Sequence, residues 1–472
     1  MFDKKIPVYW DYDRDPENHF QYINGYSKQS LNDYTRSTFN KSYKDLKQYP
    51  QLENLGRPIL FTEQLSTPVG HISQQFRSWN INKESFIYPL VILPYLAFND
   101  LAKADSYWDK CINLNNELLD LVCKQKRGKI CLYNNWEAWP VETYLNIVNV
   151  LCSRYKEWNL QEVDFIISSC NELLTSGNNV IHAVNSNIMS LATFDKTIQE
   201  KIIKGIEKKE HRKHNFICLN RVNKHHRMAT FAELWKDKEY GIISQMCVQY
   251  GYPGVDEFQS IAGMNHTGQE WVDYIKNTIK TNPNMAQHFK NGLEISYPES
   301  YKIYKKHKLI NQMPYMLEDD ISPIINPVPD PNTQKFFDSS LNIVTECYGE
   351  VEDGSIVITE KTYKPIVHFQ PFVIVASPNT LLALKHKGYK TFEKWIDESY
   401  DSIQDNQTRL KSAIASARKF YLRDKKDIAQ DLYEMIDILI HNIVQYQYNI
   451  DTEWTKLITQ VAMNLNYCRR DI

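Results

Sequence analysis

Along most of this chain, apolar runs of strand length alternate with segments of helical period, and that alternation limits the fold more than any other feature. "KKIPVYW" (4–10) and "RPILFTE" (57–63) read as short strands, and residues 103–124 carry apolar positions at helical spacing. "GKICLYNNWEAWP" (128–140) reads as a strand running into a loop, ahead of a helix over roughly 142–155. "VDFIISSCN" and "NNVIHAVN" follow as two more strands. A second series opens with "NFICLN" (215–220) and the helix "MATFAELWK", then resumes at "SSLNIVTECYG" (339–349) and through 356–376. Parallel strands need long crossovers, and a helix supplies one, so this order predicts an α/β fold built on parallel sheets.

At 472 residues the chain exceeds one comfortable core, and two domains are expected. The charged segment "QEKIIKGIEKKEHRKH" (199–214) reads as a boundary helix or linker. The expected division is one domain over 1–205, a second over 206–425 and a helical tail over 426–472 that packs back across the domains. Residues 235–335, with the Pro-rich "ISPIINPVPDPNTQ", read as irregular connections. Residues 405–448 read as one or two amphipathic helices, with Leu410, Ala413, Ala417 and Tyr421 on one face. Gly388 is expected to end a helix in the left-handed conformation, and Phe392 and Trp395 to pack the domain.

Composition narrows the class further. A formal charge of −2 gives no global electrostatic reason to bind nucleic acid. The nine cysteines are scattered without a CxxC pair, which points to buried thiols in a reducing cytoplasm rather than disulfides or a zinc site. The opening "MFDKKIPVYWDYDRD" lacks the apolar core of a signal peptide. The longest apolar run, "FIYPLVILPYLAF" (86–98), contains Pro89 and Pro94 and is too short to span a bilayer. A soluble cytoplasmic protein without membrane insertion is expected, in the host cytoplasm if the chain is viral.

Two segments carry chemistry. In "FICLNRVNKHHRMATFAEL" (216–234) an apolar strand ends at Asn220 and Arg221, a basic loop follows, and Arg227 stands where a helix opens. Helix N-termini favour anions and an Arg fork grips phosphate oxygens, so this element can cradle a diphosphate, although a solvated basic turn has the same composition. In "GSIVITEKTYKPI" an apolar strand is expected to deliver Glu360 and Lys361 at its carboxyl end, with Lys364 beyond and two strand-like runs after it. A carboxylate there can accept both hydroxyls of a ribose, and the neighbouring Lys can neutralise phosphate. Either segment alone reads as an ordinary charged surface; together they describe a nucleotide-sugar site.

These two segments, with "PFVIVASPNTLLALKHKGYKTFEKWIDESYD" after them, resemble glycosyltransferases of the two-domain GT-B type. More narrowly, they are similar to α1,3-fucosyltransferase-like enzymes and to glycosyltransferases of large bacteriophages. The resemblance covers roughly 215–230 and 336–402. It implies two Rossmann-like domains facing a central cleft, closed by a helical C-terminal tail. It also implies that Glu360 holds the donor ribose, that Lys361 contacts the diphosphate, and that Arg227, or else Arg221, is the diphosphate-binding arginine. Asn220 and Lys364 complete the donor-binding set. The chain has "KPIVHFQPF" where those enzymes usually carry a Gly before the Pro, which leaves the donor open between UDP- and GDP-sugars.

Transfer also needs a base for the acceptor hydroxyl. "YNNWEAWP" offers Glu137, with Trp136 and Trp139 able to stack on a sugar, and Glu63 is a weaker alternative; an ordinary loop acid beside two packing tryptophans fits the same residues. Glu352 and Glu360 have the E-x7-E spacing of retaining enzymes, but "EVEDGS" reads as a solvated turn. Asp11 and Asp13 read as a polar loop, and His225 and His226 as bystanders. No metal and no obligatory cofactor are expected, because Arg and Lys can balance the leaving diphosphate. The expected function is an inverting transfer of a sugar from a nucleotide-diphosphate donor to a hydroxyl acceptor, either a glycan or, in a phage, a hydroxymethylated DNA base. The alternative is a non-catalytic nucleotide- or glycan-binding module.

Overall fold

The computed structural model describes residues 86–91, 114, 116–134, 141–173, 180–182, 196–222, 224–248, 292–312, 315, 333–350 and 354–449. The chain forms two compact units, Met1–Ser186 with Pro253–Gly263 and Thr452–Ile472, and Asn187–Tyr252 with Met264–Asp451. Among the described residues, no helix is long and apolar enough to cross a membrane. The expected strands at 4–10 and 57–63, together with Asp11, Asp13 and Glu63, lie outside the described residues.

The first unit holds a parallel sheet of β1 (Phe86–Val91), β2 (Gly128–Asn134), β3 (Phe165–Ser169) and β4 (Val180–His182), in that order. Pro89 is accommodated in β1, which is an edge among the described strands, where a missing N–H costs no ladder bond on the open side. Helix α1 (Val141–Arg154) connects β2 to β3 and buries Tyr144, Ile147, Val148 and Leu151, one face at helical spacing, among Ile130, Leu132, Phe165 and Ile167.

The second unit has the order that matters for function. Strands β5 (His214–Val222), β6 (Gly241–Val248), β7 (Ser339–Thr345) and β8 (Phe372–Val375) are all parallel and lie in the order β6-β5-β7-β8. Every residue of β7 and β8 is buried, as expected of parallel strands covered on both faces. From β5 the chain moves one way, through α3 (His225–Leu234), to β6; from β7 it moves the other way, through α5 (Glu360–Val367), to β8. Direction reverses between β5 and β7, and right-handed crossovers then put α3 and α5 on opposite faces. The charged segment expected at the boundary forms α2 (Lys196–Glu207), ahead of β5.

Three expectations about local structure change. The stretch 235–335 contains β6 and α4 (Pro298–Lys306), which Ser244 and Gln245 in the middle of β6 and a Tyr- and Lys-rich helix obscured. Residues 355–359, read as a strand, are buried but join no ladder among the described strands, and the Thr359 N–H is given to the Glu346 side chain. The first apolar run after Glu360-Lys361 is the last turn of α5, with Pro365 inside the helix, and only the second run is a strand, β8.

The amphipathic helices expected over 405–448 are present. Helix α6 (Thr380–His386) is followed by Gly388 at φ +88°, where a side chain would be strained. Phe392 is fully buried with its ring edge-on to Phe372. Helices α7 (Asn406–Tyr421) and α8 (Lys425–Glu434) are capped by the side chains of Asp405 and Asp424, and 436–449 is also helical. Leu410, Ala413, Ala417 and Tyr421 are all buried, and α7 packs on β7, β8 and α3. Buried Asp237 fixes this packing by accepting from Arg418 Nε at 2.8 Å and the Tyr421 hydroxyl at 2.7 Å. The Tyr421→Phe variant is expected to lose about 1–2 kcal/mol, because Asp237 stays buried with one donor fewer. Urea unfolding should show a lower midpoint with an unchanged slope.

Candidate functional site

The carboxyl ends of β5 and β7 flank the point where strand order reverses, and in open α/β sheets ligands bind in that crevice. The described candidate residues of the donor-binding set come together there. At the end of β5, Asn220 is buried and its Oδ1 accepts from the hydroxyl of Thr345, the last residue of β7, which locks the two strand ends together. Arg221 follows within β5. Lys224 donates to the Cys347 carbonyl at 2.6 Å, with its ammonium 4.8 Å from the Tyr348 ring centre. In the first turn of α3, Arg227 is only 3% exposed and donates through Nη2 to the Glu346 carbonyl at 2.9 Å.

His226 is fully buried. Its Nε2 lies 2.8 Å from the same Glu346 carbonyl, so that nitrogen carries the proton, and its backbone N–H donates to Glu350 Oε1 at 3.2 Å. A Cβ on Gly349 would stand 2.3 Å from the His226 ring, so only glycine lets the segment after β7 lie this close to α3. His226 thus packs the site together. Among the described residues, no three His, Cys, Asp or Glu side chains are placed to hold a metal ion.

On the other side stands the start of α5. Thr359 caps the helix by accepting the Lys361 N–H at 3.3 Å. Glu360 is 5% exposed; one carboxylate oxygen accepts from Lys361 Nζ at 2.7 Å, while the other, also buried, has no hydrogen-bond partner. Burial works to raise the Glu360 pKa, but the charges of Lys361 and Lys364 outweigh it and hold the group down at about 2. Burial likewise works to lower that of Lys361, and the neighbouring Cys347, Glu360 and Glu346 outweigh it, so its pKa is raised. The site therefore presents an ionised carboxylate and an ammonium side by side. Lys361 Nζ also reaches Thr359 Oγ1 at 3.3 Å and Cys347 Sγ at 3.5 Å.

Sequence reasoning missed Glu346, which joins the two sides. Its carboxylate is fully buried and accepts from Thr359 N at 3.0 Å, Thr359 Oγ1 at 2.6 Å, Thr362 Oγ1 at 2.5 Å and Cys347 N at 3.1 Å. Its carbonyl receives His226 and Arg227. An acid directly after the apolar run "LNIVT", with two threonines around Glu360-Lys361, was the available signal. Glu137, Trp136, Trp139 and Glu352 lie outside the described residues. No protein-family model, curated protein or solved structure matches this chain.

Glutamine at 346 keeps the shape of the side chain but has one acceptor oxygen. Whichever way its amide turns, its NH2 faces either the Thr359 or the Cys347 backbone N–H. Glu346→Gln should therefore destabilise the protein by roughly 2–3 kcal/mol in denaturant unfolding, more than Thr362→Val at about 1 kcal/mol. Glu360 adds a pH signature. An unfolded Glu takes up its proton near 4.5, the folded one only near 2, so its stabilisation is full above pH 4.5 and lost as pH falls toward 2. Stability measured across that window should fall less steeply in Glu360→Gln than in the wild type.

Proposed function

We propose that this protein is a glycosyltransferase of the two-domain GT-B type, which moves a sugar from a nucleotide-diphosphate donor to a hydroxyl acceptor. The observation that carries the reading is the buried Glu360 carboxylate at the strand reversal, with one oxygen on the Lys361 ammonium and the other without a donor. A buried carboxylate oxygen without a partner is costly, and a ligand that brings a hydroxyl removes that cost. A ribose does this, and its attached diphosphate then lies beside Lys361 and the first turn of α3, where helix amides and Arg227 add positive potential.

In this reading the second unit takes the donor and the first takes the acceptor, with Glu137 as the base. The base removes the acceptor proton, the acceptor oxygen forms a bond to the anomeric carbon, and the bond from that carbon to the diphosphate breaks with inversion. The charge left on the diphosphate is balanced by Lys361 and Arg227, so the step runs without an obligatory metal. The acceptor is a glycan hydroxyl or the hydroxyl of a hydroxymethylated DNA base.

Thermal unfolding with UDP, GDP, ADP and CDP tests the site. A ligand at 100 times its Kd adds about 2.7 kcal/mol, so one nucleotide should raise the melting temperature of the wild type clearly. The shift should vanish in Glu360→Ala and Lys361→Ala, and the 2′-deoxy form of the same nucleotide should bind roughly tenfold or more weakly. No shift with any of the four would overturn the proposal.

A further inference from the structure

The described cysteines differ in setting. Burial pushes the thiols of Cys131 and Cys218 up to about 12 and that of Cys123 to about 11, which keeps them inert. Cys152 and Cys347 are both half-buried, but burial and the charges of Asp164 and Glu162 push the Cys152 thiol up, whereas Cys347 lies in the segment that leaves β7 toward α5. Its sulfur is 3.5 Å from the Lys361 ammonium, so an attacking thiolate would have a counter-charge beside it. The same ammonium holds Glu360, whose second oxygen is buried without a donor, so one ammonium links the thiol to the carboxylate of the proposed donor site.

We infer that Cys347 is a modification site for small-molecule disulfides, and that its mixed disulfide closes the anion site at the strand reversal. The effect on nucleotide binding rests on the function proposed above; the reactivity of the thiol does not. In the reaction the Cys347 thiol gives up its proton and its sulfur attacks one sulfur of the disulfide. A new S–S bond forms, the old one breaks, and the departing thiolate takes the proton. The small disulfide is the oxidant, and an excess of a reducing thiol reverses the step.

The test treats the full chain with oxidised glutathione and maps every cysteine peptide by mass spectrometry over time, for the wild type, Lys361→Gln and Cys347→Ser. Cys347 should gain the adduct before any other cysteine, at least about tenfold faster than in Lys361→Gln, and a reducing thiol should remove it. The stabilising nucleoside diphosphate should slow the reaction in the wild type. Once modified, the wild type should lose its nucleotide-dependent thermal shift, and Cys347→Ser should keep its shift under the same treatment. Protection of the wild type by nucleotide decides the matter if Cys347→Ser does not fold. Modification of another cysteine first, or an equal rate in Lys361→Gln, overturns the inference. So does a modified Cys347 with an unchanged thermal shift. If the untreated wild type shows no shift with any nucleotide, the proposed function fails instead, and the dependence of the Cys347 rate on Lys361 alone decides the thiol's role.

Discussion

Glu346 is the constraint on which the rest of the site depends. It stands one residue past the end of β7 and uses both of its polar groups. The carboxylate takes the first turn of α5 through Thr359 and Thr362; the carbonyl takes the first turn of α3 through His226 and Arg227. A buried carboxylate needs several donors, and here they come from backbone and hydroxyl groups rather than from a cation. Lys361 and Arg227 are thereby held at fixed positions around one crevice while the charge of Lys361 stays turned to Glu360. Lys361 and Arg227 are thus preorganised by a residue that is itself fully buried.

The crevice itself is a product of topology. Strands β5 and β7 are neighbours although β6 lies between them in sequence, so their crossover helices leave in opposite directions, the arrangement at which open α/β sheets bind ligands. In the first unit the described strands run β1 to β4 without a reversal. The charged pair at the start of α5 is thus sited by the order of the strands as much as by its own residues.

From the sequence, the parallel α/β class is legible because β5, β7 and β8 are apolar runs of strand length separated by helical periods. The nearness of Arg227 to Glu360 and Lys361 is legible because in both elements an apolar run gives way to a charged helix start. What stays hidden has physical causes. Residues 355–359 read like a strand, yet Thr359 gives its N–H and hydroxyl to the Glu346 side chain, and no periodicity reveals a side-chain partner. Pro365 inside α5 reads as a break, although the helix continues past it to Val367. Glu346 itself reads as a polar end to an apolar strand, because its role comes from long-range contacts with Thr359 and His226 that only the folded chain brings together.

The most direct test of the central claim is amide hydrogen exchange with and without a saturating nucleoside diphosphate. The account predicts added protection at 224–228 and 359–363, where α3 and α5 begin beside β5 and β7, and none at the ends of β1 to β4. Protection confined to the first unit, or none at either helix start, would contradict it.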